Sequence, residues 1–199
     1  MNEIPLFPLP AMIFPGGRLA LQIFEPRYLD MIKRCMGEGE GFGVVLALPA
    51  YDGEANVVGP PTASQGTYTS IIDFNQLPNG LLGILAEGEK RFIIHNRREL
   101  TDGLLMGEVE FLDQDPDYAL PDHQEQLAKI LQSFAEHPQV ARLNYQIDYQ
   151  SAGEVSARLA ELLPCRVDIK KVLFEISDPL ERLDMLEQVI VDLQDQANR

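Results

Sequence analysis

Thr67-Tyr68-Thr69-Ser70-Ile71-Ile72-Asp73-Phe74, Leu77-Pro78-Asn79-Gly80 and Leu81-Leu82-Gly83-Ile84-Leu85-Ala86 together decide the fold. The first run is rich in β-branched and aromatic residues, which suit a pleated, half-buried surface. Asn79-Gly80 then accepts the positive φ angles that a tight hairpin turn demands. The third run pairs back, and Arg91 to His95 continues the strand pattern past Gly88. Downstream, Leu105 to Leu112 supplies a last strand. Upstream, Gly43 to Leu48 is a continuous apolar run, expected as a strand buried on both faces. Pro49 to Gly66 reads as a loop. Ile4 to Leu9 is short, apolar and interrupted by Pro5 and Pro8, expected as an edge strand or barrel rim. Phe14-Pro15-Gly16-Gly17 is a turn, and Leu19 to Ile23 a strand. One helix interrupts the strands. Pro26 opens it at a first-turn position, where a missing N–H costs nothing. Tyr28, Leu29, Ile32 and Met36 recur at helical spacing, and Gly37 is expected to end it. Many short strands and one helix predict a small, partly closed barrel.

From Asp122 the apolar period becomes helical. Leu127, Ile130, Leu131 and Phe134 line one face, and Pro138 stops that helix. Ser151-Ala152-Gly153-Glu154 reads as a reciprocal capping box ahead of Val155, Leu159, Leu162 and Leu163. Ile169, Val172, Leu173 and Ile176 form a third face. Asp178-Pro179 caps a fourth helix lined by Leu183, Leu186, Val189, Ile190 and Leu193. The expectation is an α+β chain: residues 1–115 as a β-barrel with one helix, residues 116–199 as a helical bundle of four.

The 199 residues suffice for a core that needs neither disulfide nor metal. Apolar residues make up 45% and charged ones 24%, ordinary for a globular protein. The net charge of −15 is spread evenly, with 8 basic and 16 acidic residues in 1–115 and 8 and 15 in 116–199. Nucleic acid needs a basic face to displace counterions from phosphates, and none is visible, so no nucleic-acid partner is expected. The same acidity argues against anionic membranes. The amino-terminal residues show no basic region followed by an apolar run. No stretch reaches the roughly 20 apolar residues of a membrane span. Two distant cysteines, Cys35 and Cys165, make no disulfide framework, so a reducing cytoplasmic setting is expected.

The search for chemistry finds little. Gly37-Glu38-Gly39-Glu40-Gly41-Phe42-Gly43 resembles a phosphate loop only in its glycines. No Gly-Lys-Ser/Thr follows, a strand follows instead of a helix, and Glu38 and Glu40 would repel phosphate. His95, His123 and His137 share no ligand spacing. Asp113-Gln114-Asp115-Pro116-Asp117 begins like a calcium loop but has Tyr118 where Gly belongs and Gln124 where the bidentate Glu belongs. No cofactor or metal is expected. No Gly-x-Ser-x-Gly elbow is present. Ser177 near Lys170 and Lys171, or Cys35, keeps open an unrecognised hydrolase site, against the plainer reading of a helix-terminating serine and a buried thiol.

The order of several short motifs resembles one family. Ile4-Pro5-Leu6-Phe7-Pro8-Leu9, Phe14-Pro15-Gly16 and Leu19-Ala20-Leu21 look like the opening of the Lon protease N-terminal, substrate-binding domain. So do Ile23-Phe24-Glu25-Pro26-Arg27-Tyr28, Gly66-Thr67, Leu77-Pro78-Asn79-Gly80, Gly88-Glu89-Lys90-Arg91-Phe92, Leu173-Phe174-Glu175 and Arg182-Leu183. The resemblance implies a PUA-like β pseudobarrel followed by a C-terminal helical bundle. It also implies a non-catalytic module that binds proteins or unfolded polypeptide segments. The phosphate loop and Ser–Lys dyad of a full Lon protease are absent, so a stand-alone form without ATPase or protease domains is expected. The candidate contact residues are Glu25, Arg27 and Tyr28, then Arg91 and Phe92. Each has a structural alternative, an ion pair for Arg27 and core positions for the rings. Phe14, on its Pro-Gly turn, is expected as an exposed apolar contact. An assembly protein acting through the C-terminal helices stays open, and nothing in the pattern sets an oligomeric state.

Overall fold

In a computed structural model, residues 2–49 and 59–197 are described. They divide into two units, Met1–Asp113 and Gln114–Arg199. The first contains β1 (Asn2–Leu9), β2 (Arg18–Ile23), α1 (Pro26–Glu38), β3 (Phe42–Ala47), β4 (Thr62–Gln76), β5 (Leu82–Glu99) and β6 (Leu105–Phe111). The second contains a 3-10 turn (Asp122–Gln124), α2 (Glu125–Ala135), α3 (Pro138–Ala141), α4 (Ala152–Leu162), α5 (Val167–Glu175) and α6 (Pro179–Ala197). This is the α+β arrangement of a β pseudobarrel followed in sequence by helices.

The 18 residues of β5 close the barrel. The strand order is β2-β5-β4-β3-β1-β6, and β5 also pairs with β6. Its first part, Leu82 to Glu87, pairs with β2, and its last part, Phe92 to Glu99, pairs with β6. β4 runs antiparallel along its other edge. One strand thus serves three neighbours, and the ring β5-β4-β3-β1-β6 has no end.

β1 is not the edge strand that its prolines suggest. It lies between β3, parallel, and β6, antiparallel. Successive N–H groups point to opposite edges of a strand, so those of residues 5 and 8 would point to opposite sides. β1 meets β6 over Asn2 to Leu6 and β3 over Leu6 to Leu9. Pro5 therefore precedes the β3 pairing and Pro8 follows the β6 pairing, so a central strand can hold both.

Two apolar clusters fill the barrel unit. One packs Tyr28, Met31, Ile32 and Cys35 of α1 against Phe7, Phe42, Val44, Ile84 and Ala86. The other gathers Ile4, Leu6, Val45, Phe92, Leu105 and Val109. Helix α1 starts with Pro26 in its first turn and runs through Gly37 to Glu38. It stops at Gly39, whose φ of 69° is left-handed. The loop expected over 49–66 is partly strand, since β4 begins at Thr62; residues 50–58 of it lie outside the described residues.

In the second unit Leu127, Leu131, Val155, Leu159, Leu173, Phe174, Leu183 and Leu186 are buried. Pro138 does not merely stop a helix; it opens the short α3. The capping box at Ser151 is one-sided. Ser151 Oγ accepts from the Glu154 N–H at 3.2 Å, but the Ser151 N–H donates to the Asp148 carbonyl. Asp178 caps α6 by accepting from the Leu180 N–H at 2.8 Å.

Candidate functional site

The candidate residues Glu25, Arg27 and Tyr28 lie together at the start of α1. Arg27 Nη2 is 2.7 Å from Glu25 Oε2, and its Nη1 donates to the Gly103 carbonyl at 2.7 Å. Its guanidinium lies 4.7 Å from the Tyr28 ring centre. Tyr28 is buried and stacks on Phe7 at 4.0 Å. The arginine thus pins the helix start to the turn between β5 and β6. Arg91 and Phe92 are elsewhere, both buried in β5, with Phe92 in the second core cluster. Phe14 is only 1% exposed, which corrects the expectation of an apolar surface contact. Its turn is held down by β5: Gly16 N–H donates to the Gly88 carbonyl, and a Cβ on Gly88 would meet the Phe14 carbonyl oxygen at 2.2 Å. The six candidates do not form one surface.

A different place does offer a surface. Between the end of α1 and the outer half of β4 runs a groove of about 410 Å3. Its walls include Cys35, Met36, Gly41, Tyr68, Ile72 and Phe74. Three of these apolar side chains are open to solvent: Met36 at 40%, Ile72 at 42% and Phe74 at 58%. Glu40, Asp73 and Glu89 also line it, and among the described residues no Lys, Arg or His does.

The groove exists because two pairings end at different places. β3 pairs with β4 only as far as Thr69, opposite Phe42. β5 continues beside β4 to Gln76. Beyond Thr69, therefore, no strand among the described residues lies on the β3 side of β4. A bulge then resets the alternation. Ile71 stands opposite Ala86 and Asp73 opposite Leu85, leaving Ile72 as the extra residue. Residues three apart normally face opposite sides of a sheet. Here the bulge puts Ile71, opposite Ala86, and Phe74, opposite Ile84, on one face, and Ala86 and Ile84 are both core residues. Phe74 carries the core face of the sheet out past the helix that covers it.

The inner wall is closely fitted. The Gly41 N–H donates to the Tyr68 hydroxyl, whose pKa burial pushes up. A Cβ on Gly41 would stand 2.0 Å from the Thr69 carbonyl oxygen. Cys35 is 2% exposed, and its thiol donates to the Gly41 carbonyl at 3.4 Å. Burial raises its pKa, the reverse of what activates a nucleophile. In the other unit Lys170 Nζ donates to the Ala160 and Glu161 carbonyls, at 3.4 Å and 3.0 Å. Among the described residues, no group of three or more His, Cys, Asp or Glu side chains is placed to hold a metal ion. No described helix is long and apolar enough to cross a membrane.

The groove residues carry little sequence signal. Met36 fits the helical apolar face, and Ile72 and Phe74 fit a strand. Nothing local shows that β3 begins only at Phe42 or that Ile72 is a bulge. Glu40 was legible only as a residue hostile to phosphate.

A closed β-barrel followed by helices defines a class of α+β domain. The chain belongs to the family of the ATP-dependent protease La (LON) substrate-binding domain, which matches residues 3–192. A crystal structure of a Lon N-terminal domain protein from Xanthomonas campestris superposes with a TM-score of 0.73 at 32% identity, covering 94% of this chain and 98% of that one. The N-terminal domain of Lon protease from the Mycobacterium avium complex shares the fold, with a TM-score of 0.57 at 15% identity over 93% of this chain and 96% of that one. Lon protease 1 of Bacillus subtilis is 25% identical over 92% of this chain and 24% of its own length. Protein cereblon of Danio rerio is 29% identical over 61% of this chain and 27% of its own length. The chain thus spans about a quarter of these two relatives.

Proposed function

We propose that the protein is a non-catalytic module that binds exposed apolar segments of other polypeptides in the cytoplasm. The observation that carries this reading is the groove of Met36, Ile72 and Phe74, apolar side chains left open beside a packed core. An open apolar patch of this kind is a feature of protein interaction sites. Membership of a substrate-binding domain family supports it. The reading moves the contact surface away from Glu25 and Arg27, which are committed to one another, and from the buried Phe14, Tyr28, Arg91 and Phe92. Binding needs no cofactor or metal. A catalytic role for Cys35 finds no support in a covered thiol with a raised pKa. The free thiols of Cys35 and Cys165 suit a reducing compartment.

The test is fluorescence anisotropy with one labelled protein in two states, permanently unfolded and native. The unfolded state is expected to bind and the native state not to, with no cleavage on prolonged incubation. Replacing Ile72 with Ser weakens binding without changing the circular dichroism spectrum. Equal anisotropy for both states, or accumulating peptide fragments, would sink the reading.

A further inference from the structure

We propose that the open edge of β4, from Ser70 to Gln76, accepts one extended polypeptide segment as an added strand, and that the preferred segment alternates apolar and basic side chains. The inference rests on the polypeptide-binding reading above and specifies its geometry and substrate class.

The backbone carries the first part of the argument. Beyond Thr69 this stretch is paired on one side only among the described residues. Seven residues at ~3.3 Å each give an edge about 23 Å long, enough for a short strand. Proteins usually guard such an edge with Lys, Pro or a covering segment, because it invites another chain to pair. Ser70-Ile71-Ile72-Asp73-Phe74-Asn75-Gln76 contains neither Lys nor Pro. Its one charge, Asp73, accepts from the Phe74 N–H at 2.8 Å.

Side-chain placement selects the occupant. Phe74 lies on the core face of the sheet and Asp73, its neighbour, on the other. An added strand alternates in the same way, so one set of its side chains meets Phe74 while the other stands on the side of Asp73. Glu40 and Glu89 add negative charge to the groove, and no Lys, Arg or His among the described residues lines it. The whole chain carries a net charge of −15. Basic residues on the incoming segment are therefore steered in, and acidic ones kept out. A second copy of this chain is the less suited occupant, because it brings the same charge and the same Asp73.

The experiment uses the full chain and three labelled nine-residue peptides: one alternating Val and Lys, one alternating Val and Glu, and the Val-Lys peptide N-methylated at alternate residues. N-methylation removes backbone donors while leaving the side chains in place. The Val-Lys peptide is expected to bind at least tenfold more tightly than either of the others. Phe74→Ser is expected to weaken it at least tenfold with an unchanged circular dichroism spectrum. Hydrogen exchange is expected to show new protection within 70–76. Equal affinity for the N-methylated peptide overturns strand addition, and equal affinity for the Val-Glu peptide overturns the charge preference. Should either happen while the unfolded protein still binds, the polypeptide-binding reading stands and only this inference falls. If the unfolded protein also fails to bind, both fall. Self-association abolished by Phe74→Ser, without peptide binding, would assign the edge to a second copy and overturn the inference.

Discussion

Arg182 of α6 donates through Nη2 to Asp115 Oδ2 at 2.7 Å, joining residues 67 apart in the chain. The guanidinium is buried, and it also donates to Ser156 Oγ and the Leu173 and Ile176 carbonyls. One arginine therefore connects α4, the end of α5 and the segment before α2. Removing one partner of a buried pair leaves an uncompensated charge, which costs about 3–5 kcal/mol when both are fully buried. Asp115 is partly exposed, and the carbonyls remain as acceptors. Asp115→Ala is therefore expected to cost about 2–3 kcal/mol. Urea unfolding followed by circular dichroism measures it. A change under about 0.5 kcal/mol, typical of a surface substitution, would show that the pair holds nothing together.

Gly37 and Gly41 flank the same turn and should respond oppositely to alanine. Gly37 lies in the last turn of α1, and a Cβ added there would have no atom within 4 Å. Gly37→Ala should stabilise by roughly 0.5–1 kcal/mol, the usual helix preference of Ala over Gly. At Gly41 the new Cβ would meet the Thr69 carbonyl oxygen at 2.0 Å, a backbone atom of a paired strand. Gly41→Ala should destabilise by more than about 2 kcal/mol and distort the groove wall. Thermal melts of the two variants check the contrast, and a shift of the same sign for both would contradict the described loop.

What was legible in the sequence was local. Asn79-Gly80 marked the hairpin, although only Gly80, with a φ of 82°, takes the left-handed conformation expected of both. Pro26 marked the helix start, and Asp178 marked a cap, because caps and turns depend on residues a few positions apart. Long-range choices were not legible. The prolines of β1 argued for an edge, and only the staggered pairing with β3 and β6 makes a central position acceptable. Phe14 follows no rule that separates an exposed turn aromatic from a buried one; β5 covers it through Gly88. The groove was the least legible, since it arises where β3 begins and where a bulge shifts Phe74 to the core face. Neither event has a sequence signal of its own.

Glu154 should make the helical unit less stable as pH rises. Burial raises its pKa above the ordinary glutamate value; Arg158 opposes the shift, and Asp148 and Asp117 add to it. The folded state then binds the proton more tightly than the unfolded one. Stability from this group is complete below the unfolded pKa and is lost as pH climbs through the raised folded pKa. Gln cannot ionise, so Glu154→Gln should melt higher than the parent at pH 7 and at about the same temperature at pH 4. Calorimetry at the two pH values decides. An equal difference at both, or a lower melting temperature at pH 7, would show that the carboxylate is welcome where it stands.

The two thiols should label at different rates, and the slower one reports on the groove. Cys165 is half-buried, whereas Cys35 is only 2% exposed and bonded to the Gly41 carbonyl. Burial raises the pKa of both, so neither is chemically activated, and access sets the order. With a disulfide reagent at pH 8, Cys165 should react at least tenfold faster than Cys35, with mass spectrometry assigning each site. Cys35 then reacts only when the end of α1 opens from the sheet. An occupant lying along β4 would hold that opening closed, so a bound peptide should slow Cys35 further and leave Cys165 unchanged. Labelling of Cys35 as fast as Cys165 would mean that the helix end does not seal the thiol. Equal slowing of both by peptide would place the occupant elsewhere.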